Sequence, residues 1–136
     1  MVAISNLKQL LAAMKPELNG RSVAFMSFAD GMNPFSTDNT ICTFAEAEGL
    51  TVLAELSAAE ASGHRIWFRA AWITLSVHSD LEAVGLTGAF ASALADHGIS
   101  ANVIAGAYHD HIFVPLDKTS AAMEALIELQ KGSTNL

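Results

Sequence analysis

The sequence predicts an α+β protein in which antiparallel sheets carry helices on one face. Three observations lead there. Apolar residues switch repeatedly between helical and extended periods, giving the order α, β, β, β, short α, β, α, β, β, α. The second half of that order, β-α-β-β-α, is echoed in degenerate form by the first. Finally, 51% of the 136 residues are apolar and only 15% are charged, which is ample material for a core.

Taken in order, residues 4–14 set Ile4, Leu7, Leu10, Leu11 and Met14 on one helical stripe, with Ser5 or Asn6 as cap and Pro16 as stop. Residues 22–29 alternate as a strand. Residues 30–40 (DGMNPFSTDNT) collect turn formers and read as a long loop. Strands at 41–47 and 50–56 form a hairpin around a Glu48-Gly49 turn. A short helix covers 57–62, capped by Ser57 and ended by Gly63.

Residues 65–77 (RIWFRAAWITLSV) read as one long strand bent near Arg69 to Ala71, with Trp67 on one face and Phe68 and Trp72 on the other. Residues 86–97 form a helix with Leu86, Phe90, Ala93, Leu94 and His97 in a stripe and Gly98 at its end. Strands at 99–107 and 112–116 flank a turn at Tyr108, His109, Asp110 and His111. A last helix runs over 118–131, starting at Asp117 and closed by Gly132, with a loose tail behind it.

The charge balance is seven Lys and Arg against fourteen Asp and Glu, a formal net −7. Nucleic acid and anionic membranes need clustered positive charge, so neither is an expected partner. No apolar run is long enough to span a bilayer and no secretory leader is legible, so a soluble, cytoplasmic protein is expected. Cys42 stands alone, without a disulfide or CxxC partner, and reads as a buried structural thiol.

Two polar loops, separated by one helix and one strand, are the candidate site. The first holds His78, Ser79, Asp80, Glu82, Val84, Gly85, Leu86 and Thr87, and the second holds Tyr108, His109, Asp110 and His111. A turn entering a helix leaves backbone N–H groups that attract a carboxylate, and Gly85 lets a ligand approach that backbone closely. The plainer alternative is that Ser79 or Asp80 caps the helix and Gly85 only shapes the turn. On an extended segment His109 and His111 share a side and Asp110 takes the other, so Asp110 could meet a ligand ammonium or guanidinium.

The segments FAEAEGLTVLAEL, WITLSVHSDLEAVGLT and ISANVIAGAYHDHIFVP resemble a bacterial family of tandem ACT-like domains, formerly described as a domain of unknown function. That family is similar in turn to the ACT pair of the animal cytosolic arginine sensor. The resemblance implies a ferredoxin-like fold in two tandem ACT-type modules: a degenerate N-terminal module over 1–64 and a second over 65–136. It implies a non-enzymatic regulator or sensor, without cofactor, that binds a small molecule such as an amino acid. It places contacts on the glycine loop, here residues 78–87, and on the turn at 108–111. The first half lacks a clear glycine loop before a helix, which leaves open whether it has a site of its own.

Other constellations compete with this one. His109, His111 and His78, with Glu82, could form a metal-binding module, though no metal-ligand spacing is present. Ser79 beside His78, Asp80 and Asp110 has the residue types of a triad without the nucleophile elbow. Glu46 and Glu48 flank an exposed turn and read as solvated charge. A ligand-free dimeric interaction module serving a transporter or enzyme is a third class. Short edge strands and aromatics favour a homodimer or higher homo-oligomer.

Overall fold

The computed structural model describes residues 6–76 and 84–134. The chain clusters into two units: one joins the segment up to Asn19 to everything from Trp72 onward, and the other is Gly20–Ala71. The expected linear boundary between residues 64 and 65 falls inside the second of these. Strand β5 (Phe68–Leu75) gives its first half to that unit and its second half to the other.

The unit Gly20–Ala71 has the strand order β3-β4-β2-β5, formed by β2 (Val23–Phe28), β3 (Thr40–Glu46), β4 (Gly49–Glu55) and the start of β5. All its pairings are antiparallel. Helix α2 (Leu56–Ser62) buries Ala59 against Ala24, Met26, Val52 and Ala54, with Phe28, Phe35, Leu50, Leu56 and Ile66 around them. Small residues at 24, 54 and 59 let helix and sheet approach closely. The long loop ends in a 3-10 turn, Thr37–Asn39, which the turn-rich composition had concealed.

The hairpin turn differs from expectation. Glu46 pairs with Gly49, so the two turn residues are Ala47 and Glu48, and Gly49 is the first residue of β4. Its φ of +148° and the Phe28 carbonyl oxygen, 2.5 Å from where a Cβ would stand, both demand glycine. Glu46 is exposed, as expected beside the turn, and accepts a hydrogen bond from the Thr51 hydroxyl. Nor is Ser57 the cap of α2. That position belongs to Glu55, and the Ser57 hydroxyl donates to its Oε1 at 3.2 Å.

In the other unit the strand order is β1-β5-β7-β6. Strand β1 (Pro16–Leu18), invisible in the sequence because three residues show no period, pairs antiparallel with β5 from Pro16↔Leu75 to Leu18↔Ile73. Strands β6 (Asn102–Ala105) and β7 (Asp110–Pro115) form a hairpin. Helices α1 (Leu7–Ala13), α3 (Leu86–Asp96) and α4 (Thr119–Thr134) complete the unit, with α4 packing on α1, α3, β1 and β7. The core combines Ile73, Leu75, Ile112 and Val114 with Leu10, Met14, Phe90, Leu94, Ala122, Ala125 and Leu126, all buried.

Local signals set several helix ends as expected. The Asn6 side chain accepts from the Gln9 N–H at 3.1 Å and caps α1. Gly63 and Gly98 leave α2 and α3 in the left-handed region. Gly132 does not end the last helix, which runs through it to Thr134 after a 3-10 turn at Leu116–Lys118. Asp117 belongs to that turn.

Candidate functional site

Strand β7 begins two residues earlier than its apolar run suggests. Asp110 pairs with Ala105 and His111 with Ile104, so both belong to the strand and the turn comprises Gly106 to His109. The turn is closed by the Gly106 N–H donating to the His109 carbonyl at 2.9 Å. Because neighbouring strand residues point to opposite faces, Asp110 and His111 are separated by the sheet.

Asp110 faces the helices. It is 7% exposed, and among the described residues it alone is both buried and polar or charged. On the neighbouring strand β5, Thr74 meets His111 at 3.0 Å and the rings of Trp72 and Phe113 lie 5.9 Å apart, so these four side chains share one face and Asp110 lies on the other.

Of the glycine loop, Val84, Gly85, Leu86 and Thr87 are described, whereas His78, Ser79, Asp80 and Glu82 lie outside the described residues. Gly85 is the N-cap of α3, with φ +100° and no side-chain cap hydrogen bond. Its carbonyl accepts from the Ala89 N–H at 2.9 Å, which starts the helix. Leu86 is buried in the core, while Val84 and Thr87 are exposed. Gly85 is exposed, with Leu7 on one side: a Cβ there would stand 2.9 Å from Cδ2 of Leu7. Leu7 had been read only as packing surface, because nothing local ties an N-terminal helix to a loop far along the chain.

His111 faces the other side of the sheet. Trp72 Nε1–H donates to its Nδ1 at 3.1 Å, and Thr74 Oγ1 meets the same nitrogen at 3.0 Å. Indole N–H can only donate, so Nδ1 must carry a lone pair and the ring proton must sit on Nε2. Trp72 also packs edge-on against the imidazole, with centroids 5.8 Å apart. Burial pushes the His111 pKa below the usual imidazole value. Neighbouring His109 pushes the same way, and Asp110 opposes both.

This geometry predicts a pH effect. Above 6.5, the ordinary imidazole value, His111 is neutral in both folded and unfolded chains. As pH falls through 6.5 the unfolded chain binds the proton first, so stability is lost from there down to the depressed folded pKa. Melting curves of the wild type should therefore fall more steeply below that pH than those of His111→Gln. Nitrogen NMR should find Nδ1 unprotonated at neutral pH; a proton on Nδ1 would overturn the assignment.

The remaining candidates separate cleanly. Tyr108 is exposed and His109 half-buried in the turn. Among the described residues no group of three or more His, Cys, Asp or Glu could hold a metal ion, and His111 Nδ1 is already engaged. Trp67 precedes β5 rather than joining it; it is 52% exposed, with the Arg65 guanidinium 4.2 Å from its ring centroid. Cys42 is only half-buried, on β3, and burial pushes its thiol pKa up, so it stays protonated. No helix among the described residues is long and apolar enough to cross a membrane.

With that geometry in hand, likeness to known proteins is informative. A family model described as an ACT domain matches residues 68–128, and a second, likewise described as an ACT domain, matches residues 2–71. A Vibrio cholerae protein of unknown function, described as a possible transport protein, is 46% identical; the match covers 91% of this chain and 95% of that one, with a TM-score of 0.77. An Agrobacterium tumefaciens protein is 13% identical over 86% of this chain and 89% of its own, at a TM-score of 0.60. The regulatory subunit of aspartate kinase from Thermus flavus is 10% identical over 85% and 95%, at 0.57. At identities this low the last two show a shared fold alone. Among curated proteins none matches the chain.

Proposed function

We propose that this chain, which belongs to the ACT-domain family, is a non-enzymatic regulator that binds a small molecule, an amino acid, in the cytoplasm. The site we propose lies where the glycine entrance of α3 meets the start of β7. The observation that carries the reading is the burial of Asp110 at the first position of β7. Buried ionisable groups concentrate at functional sites. Asp110 would take the ligand's cationic group, and the first turn of α3 would take its carboxylate. Glu82, Ser79 and His78 would complete the rim. Tyr108 and His109, in the turn before β7, would border it, while His111, on the opposite face, would act through the strand.

A regulatory role is supported by the company this fold keeps: the Thermus flavus neighbour is itself a regulatory subunit. Thermal melting with each of the twenty amino acids tests the reading, because a ligand that prefers the folded chain must raise its stability, by about 2.7 kcal/mol at a hundred times Kd. We expect one or a few amino acids at millimolar concentration to raise Tm, and Asp110→Asn to abolish the response. Silence across all twenty would sink the proposal.

We further propose self-association through a sheet edge. Strand β6 carries no charged residue and ends one edge, with Ile104 exposed on it. Sedimentation should give a dimer or larger, and a monomer at micromolar concentration would refute it. The description of the Vibrio relative as a possible transport protein favours a second reading, an interaction module working with a transporter. A transporter component that co-purifies with the chain, together with no amino-acid response, would establish that reading instead.

A further inference from the structure

We infer that a cavity in the unit Gly20–Ala71 is a further small-molecule site, one that takes a neutral, hydroxyl-rich ligand of the polyol or sugar class. Its volume is about 380 Å³, within the roughly 300–1,000 Å³ of small-ligand sites. It lies where the chain enters β2 and where β4 passes into α2. The Val23↔Glu55 pairing brings those two points together, and the Leu56 N–H donates to the Ser22 carbonyl at 2.8 Å. Arg21, Ser22, Glu55, Ser57 and Glu60 supply polar walls, and Leu56 supplies an apolar one. The amino-acid site proposed above uses none of these residues, so each reading is tested without the other.

The ligand class follows from how the walls are already paired. Arg21 donates to Glu55 Oε2 from Nε at 3.2 Å and from Nη2 at 3.0 Å, and Nη2 also donates to the Asp38 carbonyl at 2.7 Å. The Ser57 hydroxyl donates to Glu55 Oε1 at 3.2 Å. Arg69 holds Glu60, its Nε donating to Oε1 at 2.7 Å. Each carboxylate of the wall therefore has a guanidinium beside it. An ionic ligand would bring a charge whose natural partner is engaged, or would have to break an existing pair. A neutral hydroxyl does neither. It donates to a carboxylate lone pair and accepts from a neighbouring donor, which neither an ammonium nor a carboxylate can do alone. Ser22 adds to the fit: it lines the cavity, and among the described residues its half-buried hydroxyl has no hydrogen-bond partner. Because these side chains are held by one another before anything binds, little freedom is lost on binding.

Nitrogen–proton NMR of the full chain tests the site, with glycerol, inositol, ribose and glucose as probes at millimolar concentration. At least one of them should shift the Arg21 Nε–H signal and the Ser22 and Leu56 amides saturably. Arg21→Gln should raise the half-saturating concentration about tenfold, the worth of one hydrogen bond to a charged group. Gly20 tests the space itself. It borders the cavity, its φ is not positive, and a Cβ there would meet nothing within 4 Å, so Gly20→Phe should fold normally and weaken binding by obstruction. No saturable shift with any of the four probes overturns the site, and so does an unchanged half-saturating concentration in either variant. Saturation of the same signals by acetate or methylammonium, with none by the four probes, overturns the neutral-ligand assignment.

Discussion

Truncating Phe90 to alanine lowers the stability of the protein by about 3–5 kcal/mol, the cost of removing a fully enclosed ring and leaving its volume unfilled. Phe90 has no exposed surface, and it sits between Leu86 and Leu94, one turn away on each side of the same face of α3. All three are buried, so there is no nearby surface side chain to fold inward and fill the hole. The loss falls on the helix whose first turn forms the candidate site. Ligand response should therefore weaken along with Tm, because the entrance at Gly85 is held in place by this stripe. Denaturant unfolding measures the effect; a loss under about 1 kcal/mol would mean that the site collapses freely and that Phe90 is less enclosed than described.

Replacing Gly49 with alanine costs about 3 kcal/mol, for two reasons that add. The backbone there has φ +148°, a conformation that L side chains rarely adopt. The new Cβ would also meet the Phe28 carbonyl oxygen at 2.5 Å and the Ala29 Cα at 3.0 Å. These are backbone atoms of the paired strand, where Phe28 is opposite Leu50, so relief requires β2 and β4 to separate. The same change at Gly20 would meet nothing within 4 Å and adds no clash, which makes Gly20→Ala the control. Equal losses in the two variants, read from denaturant midpoints, would show that the close approach at Gly49 has no energetic weight.

Both substitutions act at positions whose residue type was noticeable in the sequence and whose reason was not. Glu48-Gly49 was legible as a turn because glycine between two alternating runs marks a reversal. The tight contact with β2 was not, because Phe28 is remote in the chain. Asp110 shows the same division. Between two histidines and after a tyrosine it read as part of a polar turn, since the apolar run starts only at Ile112. Pairing with Ala105 pulls it into β7, and alternation then sends it to the buried face while His111 goes to the other. The opposite facing of Asp110 and His111 is the one that alternation along an extended segment predicts.

Local chemistry set much of this protein in advance. The α+β class, the Asn6 cap, the glycine ends of α2 and α3, the hairpin and Gly85 at the start of α3 all follow from backbone preferences and apolar period, which act over a few residues. What needed the folded chain were the encounters between distant segments. Lys15 and Pro16 bring β1 to the end of β5, and Leu7 lies beside Gly85. Trp72 holds His111 across a separation of 39 residues, which selects the proton's place on that ring. Such contacts leave no period in the sequence, because each is decided by which faces must leave water together rather than by what any one segment prefers.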